Sequence, residues 1–151
     1  MATQTKTSEA IKDLIVINND RHEGYKTASG ETKESDLKEL FNKYSMQSNG
    51  FARELRQFVP AGEDQPKRDE TKNTGKLYRT WMDLKSAVTS GNRKAILSSC
   101  EFGEDAAKKH YEDALKNTDE IPTEALEIVR KQKEELQKAH DRIKALRDSV
   151  K

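Results

Sequence analysis

The feature that most constrains this chain is a pair of helical segments that each carry a polar residue two turns before a tyrosine. These residues are Asn18 and Tyr25 in NNDRHEGY, and Glu104 and Tyr111 in EDAAKKHY. Residues seven apart share one face of an α-helix, so each polar side chain faces the same way as its tyrosine. A turn and a second amphipathic stretch follow each segment. The sequence therefore predicts two helix hairpins that form a duplicated antiparallel four-helix bundle.

Residues at the ends of the apolar stretches predict the helix boundaries. The first helix is expected over about residues 8–28, with Gly30 ending it in a left-handed conformation. Ser35 is expected to cap the second helix, which runs to Val59, and Asn92 to cap the third long helix. The last long helix is expected from about Pro122 to Asp148, because proline suits a first helical turn.

A long connection, residues 60–91, separates the two hairpins. It begins with a polar stretch and ends with a short amphipathic helix around Trp81 that stops at Ser90-Gly91. Such a crossover lets the second and third long helices run parallel. We expect residues 1–7 to be a flexible N-terminus and residues 8–149 to be a single domain, with Trp81 as a packing residue.

Composition agrees with thin helices whose outer faces are charged. Hydrophobic residues make up 32% of the chain and charged residues 36%, while the formal net charge is only +1. Because the apolar residues fall at helical spacing, the charges are expected on solvated helix faces. Neither half of the chain is strongly basic. We therefore expect no nucleic-acid partner, since phosphate binding requires clustered positive charge.

Compartment can be inferred from apolar runs and cysteine content. No apolar run approaches the ~20 residues that span a bilayer, and the N-terminus lacks an apolar export signal. The sequence therefore predicts a soluble cytoplasmic protein with no membrane association. Cys100 has no second cysteine to pair with, which agrees with a reducing compartment. We expect it to be a small buried apolar side chain.

The inward polar residues can be compared with those of a carboxylate-bridged di-iron bundle. Such a centre uses one glutamate from each of two helices and a Glu-x-x-His pair from each of the other two. Alignment on the tyrosines places the following residues at those positions: Asn18, Glu104, Ser48 with Phe51, and Gln137 with His140. Only Glu104 and His140 keep a ligand of the required type. The pattern therefore predicts a degenerate metal site.

Four segments form a specific combination: NNDRHEGY at 18–25, WMDLK at 81–85, GEDAA at 103–107 and AHDRIKALRD at 139–148. Together they resemble a small bacterial four-helix-bundle family that is grouped with ferritin-like proteins and described as a domain of unknown function. The resemblance covers about residues 10–148. It implies an all-α, ferritin-like antiparallel four-helix bundle with a long crossover that carries a short extra helix. It also implies a bacterial cytoplasmic protein, and it supplies no catalytic site.

We interpret the inward polar residues as a hydrogen-bonded layer that crosses the bundle and fixes the register of its helices. An unpaired buried polar group costs ~1–3 kcal/mol, so buried polar side chains are expected to satisfy one another. The predicted layer consists of Asn18, His22, Tyr25, Ser48, Glu104, Tyr111 and Gln132.

A bound metal is the alternative interpretation, as a single ion or as a redox-active pair. Glu101 and Glu104, three apart, share one helix face, which helical geometry permits for two ligands. Glutamate and histidine are also common on solvated faces of a chain this rich in charge. The candidate ligands are Glu23, Glu101, Glu104, Glu135 and His140.

Two functions follow from these interpretations. The first is a non-enzymatic ferritin-like bundle that needs no cofactor and acts as a structural or interaction module, through self-association or an unidentified protein partner. Its association with bacterial stress physiology comes from the resemblance alone. The second is a metal-dependent oxidoreductase or metal store that uses iron or another divalent metal with Glu104, His140 and neighbouring residues. A third function, a small-ligand carrier, has no motif in its favour.

Overall fold

The protein is described here from a computed structural model. It describes the backbone of residues 2–59, 76–116 and 121–150. Side chains are described for residues 9–59, 79–116 and 121–150. The described residues form five α-helices and no strand: α1 (Ala2–Glu31), α2 (Ser35–Arg56), α3 (Lys76–Ser90), α4 (Arg93–Lys116) and α5 (Thr123–Asp148). The all-α prediction, with four long helices and one short extra helix, is confirmed. The predicted polar connection at 60–75 lies outside the described residues.

The first helix differs from the prediction at both ends. It begins at Ala2 rather than near residue 8 and continues through Gly30 to Glu31. The amide of Thr32 still donates to the carbonyl of Ala28 at 2.9 Å, so helical hydrogen bonding passes Gly30 without interruption. Among the described residues, the glycine with positive φ is instead Gly91, at 77°, immediately after α3. The prediction that Gly30 ends the helix in a left-handed conformation is therefore wrong.

Two other helix starts show how caps decide boundaries. Ser35 is the first residue of α2 rather than its cap, because Glu34 occupies the cap position and makes no side-chain capping bond. The helix ends at Arg56, before the predicted Val59. The predicted cap of α4 is confirmed: the Oδ1 of Asn92 accepts a hydrogen bond from the amide of Ala95 at 2.9 Å.

Side-chain contacts fix the direction of the long helices. In each hairpin, residues early in one helix meet residues late in the other, so α1 is antiparallel to α2 and α4 is antiparallel to α5. The same relation holds between α1 and α4. Between α1 and α2, Ser29 contacts Lys38 and Asn18 contacts Ser48. Between α4 and α5, Glu101 contacts Arg147 and Tyr111 contacts Gln132. Between α1 and α4, Arg21 contacts Glu104 and Asn18 contacts Tyr111. Since α2 and α4 both oppose α1, they run parallel, and two parallel helices need a long crossover.

The core is formed by apolar stripes at helical spacing. In α2 the stripe is fully buried at Leu37, Phe41 and Leu55. Cys100 is also fully buried, and burial raises the pKa of its thiol well above the ordinary value, as expected for an inert structural cysteine. Each large apolar side chain contributes ~1.5–3 kcal/mol when buried. Within the described residues, no helix has the length and apolar character needed to cross a membrane.

The short helix α3 packs on α1 and α4 through Trp81, which is 5% exposed. Its indole lies between two glycines, Gly24 on α1 and Gly103 on α4. A Cβ added at Gly24 would lie 2.6 Å from the ring, and one added at Gly103 would lie 2.7 Å from it. Only residues without a Cβ let the indole approach both helices this closely. Trp81 is therefore a packing residue, as the sequence predicts.

This packing predicts opposite effects of alanine at two helical glycines. The Gly24→Ala variant should have a free energy of unfolding about 1–3 kcal/mol below that of the Gly50→Ala variant. The reason is that the new methyl group at Gly24 would collide with the Trp81 ring. Gly50→Ala should itself raise the free energy of unfolding by ~0.5–1 kcal/mol, since nothing lies within 4 Å and alanine favours the helix. Urea titration followed by circular dichroism measures both values. Equal stability of the two variants would show that the indole is not wedged between the helices.

Candidate functional site

An ion pair between Arg21 of α1 and Glu104 of α4 lies at the centre of the bundle. Both side chains are fully buried. The Nε of Arg21 donates to Oε1 of Glu104 at 2.6 Å, and its Nη2 donates to Oε2 at 3.0 Å. A buried charge is strongly unfavourable unless it is paired and hydrogen-bonded. The two-point contact neutralises the carboxylate and occupies both of its oxygens.

The remaining nitrogen of the guanidinium is held by α2. Nη1 of Arg21 donates to Oγ of Ser48 at 2.8 Å, to Oε1 of Gln47 at 3.0 Å and to the carbonyl of Tyr44 at 3.4 Å. The guanidinium carbon also lies 5.3 Å from the ring centroids of both Tyr25 and Tyr44, within the range of a cation–π interaction. Arg21 therefore binds α2 as well as α4.

Electrostatics keep Arg21 charged despite its burial. Burial lowers the pKa of the guanidinium. The negative charge of Glu104 and the hydrogen bonds that Arg21 makes to it raise this pKa by more, so the pKa lies above the ordinary value. Burial raises the pKa of the neighbouring Tyr25 and Tyr111 hydroxyls. Around this ion pair the core thus holds a fixed positive charge, the carboxylate paired with it and neutral phenols.

A chain of hydrogen bonds continues from this ion pair across the bundle. The Oγ of Ser48 donates to Oδ1 of Asn18 at 3.0 Å, and Nδ2 of Asn18 donates to the hydroxyl of Tyr111 at 2.7 Å. That hydroxyl donates to Oε1 of Gln132 at 2.6 Å, and Nε2 of Gln132 donates to the carbonyl of Phe51 at 3.3 Å. Each hydroxyl accepts one bond and donates one. The chain therefore links all four long helices.

The structure joins five of the seven residues predicted for the polar layer: Asn18, Ser48, Glu104, Tyr111 and Gln132. The other two lie differently. His22 has a side chain that is 23% exposed, and its Nδ1 lies 2.9 Å from the carbonyl of Ser45 at the side of the bundle. Tyr25 contacts Arg21 through its ring, and its hydroxyl has no hydrogen-bond partner among the described residues. The expectation that these two belong to the hydrogen-bonded chain does not match these contacts.

Arg21 is the central residue that the sequence-based prediction missed. A signal for it exists, because Leu14, Asn18, Arg21 and Tyr25 follow one another at steps of four, three and four, which is one helix face. The sequence-based prediction places the adjacent His22 on this face, but its side chain is 23% exposed. Arginine is rarely buried without a partner, and its partner Glu104 is 83 residues away. Spacing alone could have placed Arg21 inward but could not have identified its carboxylate.

The five candidate metal ligands are not brought together. Glu104 is bound by Arg21 in the core. The side chain of Glu23 lies on the exposed side of α1 near His22, and that of Glu135 pairs with Lys138 on the outside of α5. The five candidates therefore do not share one site in the structure.

Two of the candidates, Glu101 and His140, do meet at the edge between α4 and α5, where Asp105 joins them. Their ligand atoms all lie within 4.8 Å of one another. Gln137 and His140 do not point inward as an aligned iron-binding pair requires, because both are only partly buried and the buried positions beside them are Leu136 and Ala139. Gln137 instead donates to a carboxylate on the exposed side.

The residues around Glu104 do not fit a di-iron centre. Asn18 and Ser48 present an amide and a hydroxyl, which are hydrogen-bonded to each other. Arg21 places a permanent positive charge against the carboxylate. A metal ion there would meet a like charge in a poorly screened interior, and it would have to break both hydrogen bonds to Glu104.

The ion pair predicts strong coupling between two substitutions. Arg21→Met should lower the free energy of unfolding by about 3–5 kcal/mol, because Glu104 would be left buried without a partner. Adding Glu104→Leu should recover most of this loss, since an apolar pair of similar volume removes the unpaired charge. Urea unfolding of the two single variants and the double variant measures the coupling. Losses that simply add would contradict the pairing.

Two buried tyrosines provide a matched test of the hydrogen-bonded chain. Tyr111→Phe should cost about 1–3 kcal/mol, because it removes the hydroxyl that joins Asn18 to Gln132. Tyr25→Phe should cost clearly less, because the Tyr25 hydroxyl lies outside this chain and interacts with the thiol of Cys100, a weak hydrogen-bonding group. Thermal unfolding by calorimetry compares them. A Tyr25→Phe variant that loses as much stability as Tyr111→Phe would argue against the chain.

Comparison with known families places this site in context. A search of curated proteins finds no match to this chain. Residues 6–117 match the model of a family described as Domain of unknown function (DUF2383). The matched region contains Arg21, Glu104 and Tyr111, and it ends before Gln132. It covers well over half of the 151 residues. The chain therefore belongs to the family described as Domain of unknown function (DUF2383).

Proposed function

We propose that this protein is a non-enzymatic, ferritin-like helical bundle that acts as a structural or interaction module in the bacterial cytoplasm. The single observation that supports this proposal is the buried pair of Arg21 and Glu104. In di-iron bundles, inward glutamates are neutralised by the bound cations. Here the protein supplies its own cation, at the place where sequence alignment puts one of those glutamates.

The chemistry of the pair favours structure over catalysis. Both oxygens of Glu104 accept hydrogen bonds from Arg21, so this carboxylate has no oxygen set aside for a ligand. The guanidinium is an always-charged group that cannot act as a general base. Neighbouring Ser48 and Asn18 satisfy each other.

The hydrogen-bonded chain supports a role in specifying one arrangement of the helices. A shift of one turn along any long helix would separate at least one donor from its acceptor, which costs ~1–3 kcal/mol per buried group. A single buried polar contact is known to fix register in helical assemblies. A rigid, uniquely packed bundle is the property that an interaction module requires.

We extend this proposal to self-association and to a role in stress physiology. Self-association through α4 would cover the large apolar side chain of Phe102, which is 68% exposed. The stress association, the bacterial source and the ferritin-like grouping derive from the sequence resemblance. Sedimentation velocity across a range of protein concentrations tests self-association directly.

The competing proposal is an iron-dependent oxidoreductase or metal store. It requires Glu104 and His140 to serve the same metal centre. Glu104 is held by Arg21 in the core, whereas Nε2 of His140 lies 3.0 Å from Asp105 at the edge of the bundle. This separation favours the non-enzymatic proposal.

An iron and oxygen titration separates the two functions. Untagged protein is loaded anaerobically with ferrous iron and then exposed to oxygen while its absorption spectrum is recorded. We expect no oxo-bridge absorption and no ferrous oxidation above the buffer rate. Near-stoichiometric iron pairs with an oxo-bridge band that is lost in Glu104→Gln would refute the proposal. Glu127→Gln serves as the control, because Glu127 lies exposed on α5, outside both the Arg21 site and the cluster of Glu101, Asp105 and His140.

A further inference from the structure

An imidazole and two carboxylates converge where α4 meets α5. The Nε2 of His140 lies 3.0 Å from Oδ1 of Asp105, and ligand atoms of Glu101, Asp105 and His140 all lie within 4.8 Å of one another. Ligands around a tetrahedral zinc ion stand roughly 3.3 Å apart when each bond is ~2.0–2.1 Å long. Small side-chain rotations would therefore bring all three atoms to one ion.

The helices hold these ligands in place. Glu101 and Asp105 are four residues apart on α4, so they share one face of that helix. His140 comes from α5, which packs antiparallel against α4. Ligands carried by two packed helices change position little on binding. An ion held by all three would link the two helices of the second hairpin.

The other ring nitrogen of His140 already has the partner typical of a metal ligand. Nδ1 lies 3.1 Å from Oδ1 of Asp141, which also accepts a hydrogen bond from Nε2 of Gln137 at 2.9 Å. A carboxylate on the second nitrogen fixes the tautomer and directs the lone pair of the first nitrogen outward. In the neutral ring, that lone pair faces the carboxylate of Asp105. Two acceptors at this distance require a proton or a metal ion between them.

Glu101 contributes an independent sign of an incomplete site. Its side chain is 17% exposed, and Oε1 accepts a hydrogen bond from Nη1 of Arg147. Its Oε2 is buried and has no hydrogen-bond partner among the described residues. A buried carboxylate oxygen without a partner is unfavourable, and a bound cation would satisfy it. Arg147 also donates a hydrogen bond to Asp148. Its contact with Glu101 can therefore weaken on metal binding while the contact with Asp148 remains.

We propose that Glu101, Asp105 and His140 bind a single divalent transition-metal ion, with zinc the best match. One imidazole and two carboxylates suit zinc and cobalt, whereas calcium and magnesium prefer oxygen ligands alone. Water completes the coordination. This site is separate from the Arg21 and Glu104 pair and does not depend on the proposed function. By binding only the folded hairpin, the ion stabilises the protein.

Cobalt substitution and zinc titration of the untagged, metal-free chain test this site. We expect one zinc ion per chain by isothermal titration calorimetry, a rise in melting temperature with zinc, and a cobalt absorption band in the visible region. His140→Ala should abolish the cobalt band, and Asp141→Asn should weaken zinc binding about 10–100-fold. His110→Ala is the matched control, because His110 lies at another position on α4 and pairs with Asp13 of α1.

Each outcome decides the proposal. Loss of the band in His140→Ala, with the band retained in His110→Ala and in the Arg21→Met/Glu104→Leu double variant, supports the edge site and separates it from any metal in the core. Equal zinc binding by the wild type, His140→Ala and His110→Ala would mean adventitious surface binding only and would overturn the proposal. Failure of the wild type to bind zinc at millimolar concentration would overturn it as well.

Discussion

The structure depends on one buried ion pair, between Arg21 and Glu104. Taking two charges out of water is costly, and the cost is offset only when every donor and acceptor around them is satisfied. The bidentate contact satisfies Glu104, and Ser48 with the Tyr44 carbonyl satisfies the remaining nitrogen. These partners come from α4 and α2, and Arg21 itself belongs to α1. The relative positions of α1, α2 and α4 are therefore set by a single guanidinium.

The pair also gives a physical reason why a helical bundle can keep an inward glutamate without a metal. A carboxylate in a bundle core needs a positive charge, and either an ion or an arginine can supply it. Arginine supplies it permanently and in a fixed geometry, whereas a metal must be acquired and leaves coordination positions for other ligands. The core accordingly favours a structural role. Chemistry that involves a cation is proposed at the edge, where Glu101, Asp105 and His140 meet.

Sequence reasoning could predict what depends on periodicity. Helical spacing gave the long helices, the crossover helix and inward positions such as Tyr111 and Gln132. It could not identify Arg21 as part of the core, because the residue that makes its burial favourable is 83 positions away. Local propensity misplaced the end of α1, since continued backbone hydrogen bonding outweighs the flexibility of Gly30. The wedge formed by Trp81 between two glycines arises only when three helices pack together.

The most direct test of this account is the hydrogen exchange of the Arg21 guanidinium. Nuclear magnetic resonance of protein labelled with ¹⁵N-arginine resolves individual Nε–H groups, and the Arg21→Lys variant assigns the signal. A fully buried Nε–H that donates to Glu104 should exchange far more slowly than that of Arg130, which lies exposed on α5. Exchange of Arg21 as rapid as that of Arg130 would contradict the buried ion pair and the arrangement of helices built around it.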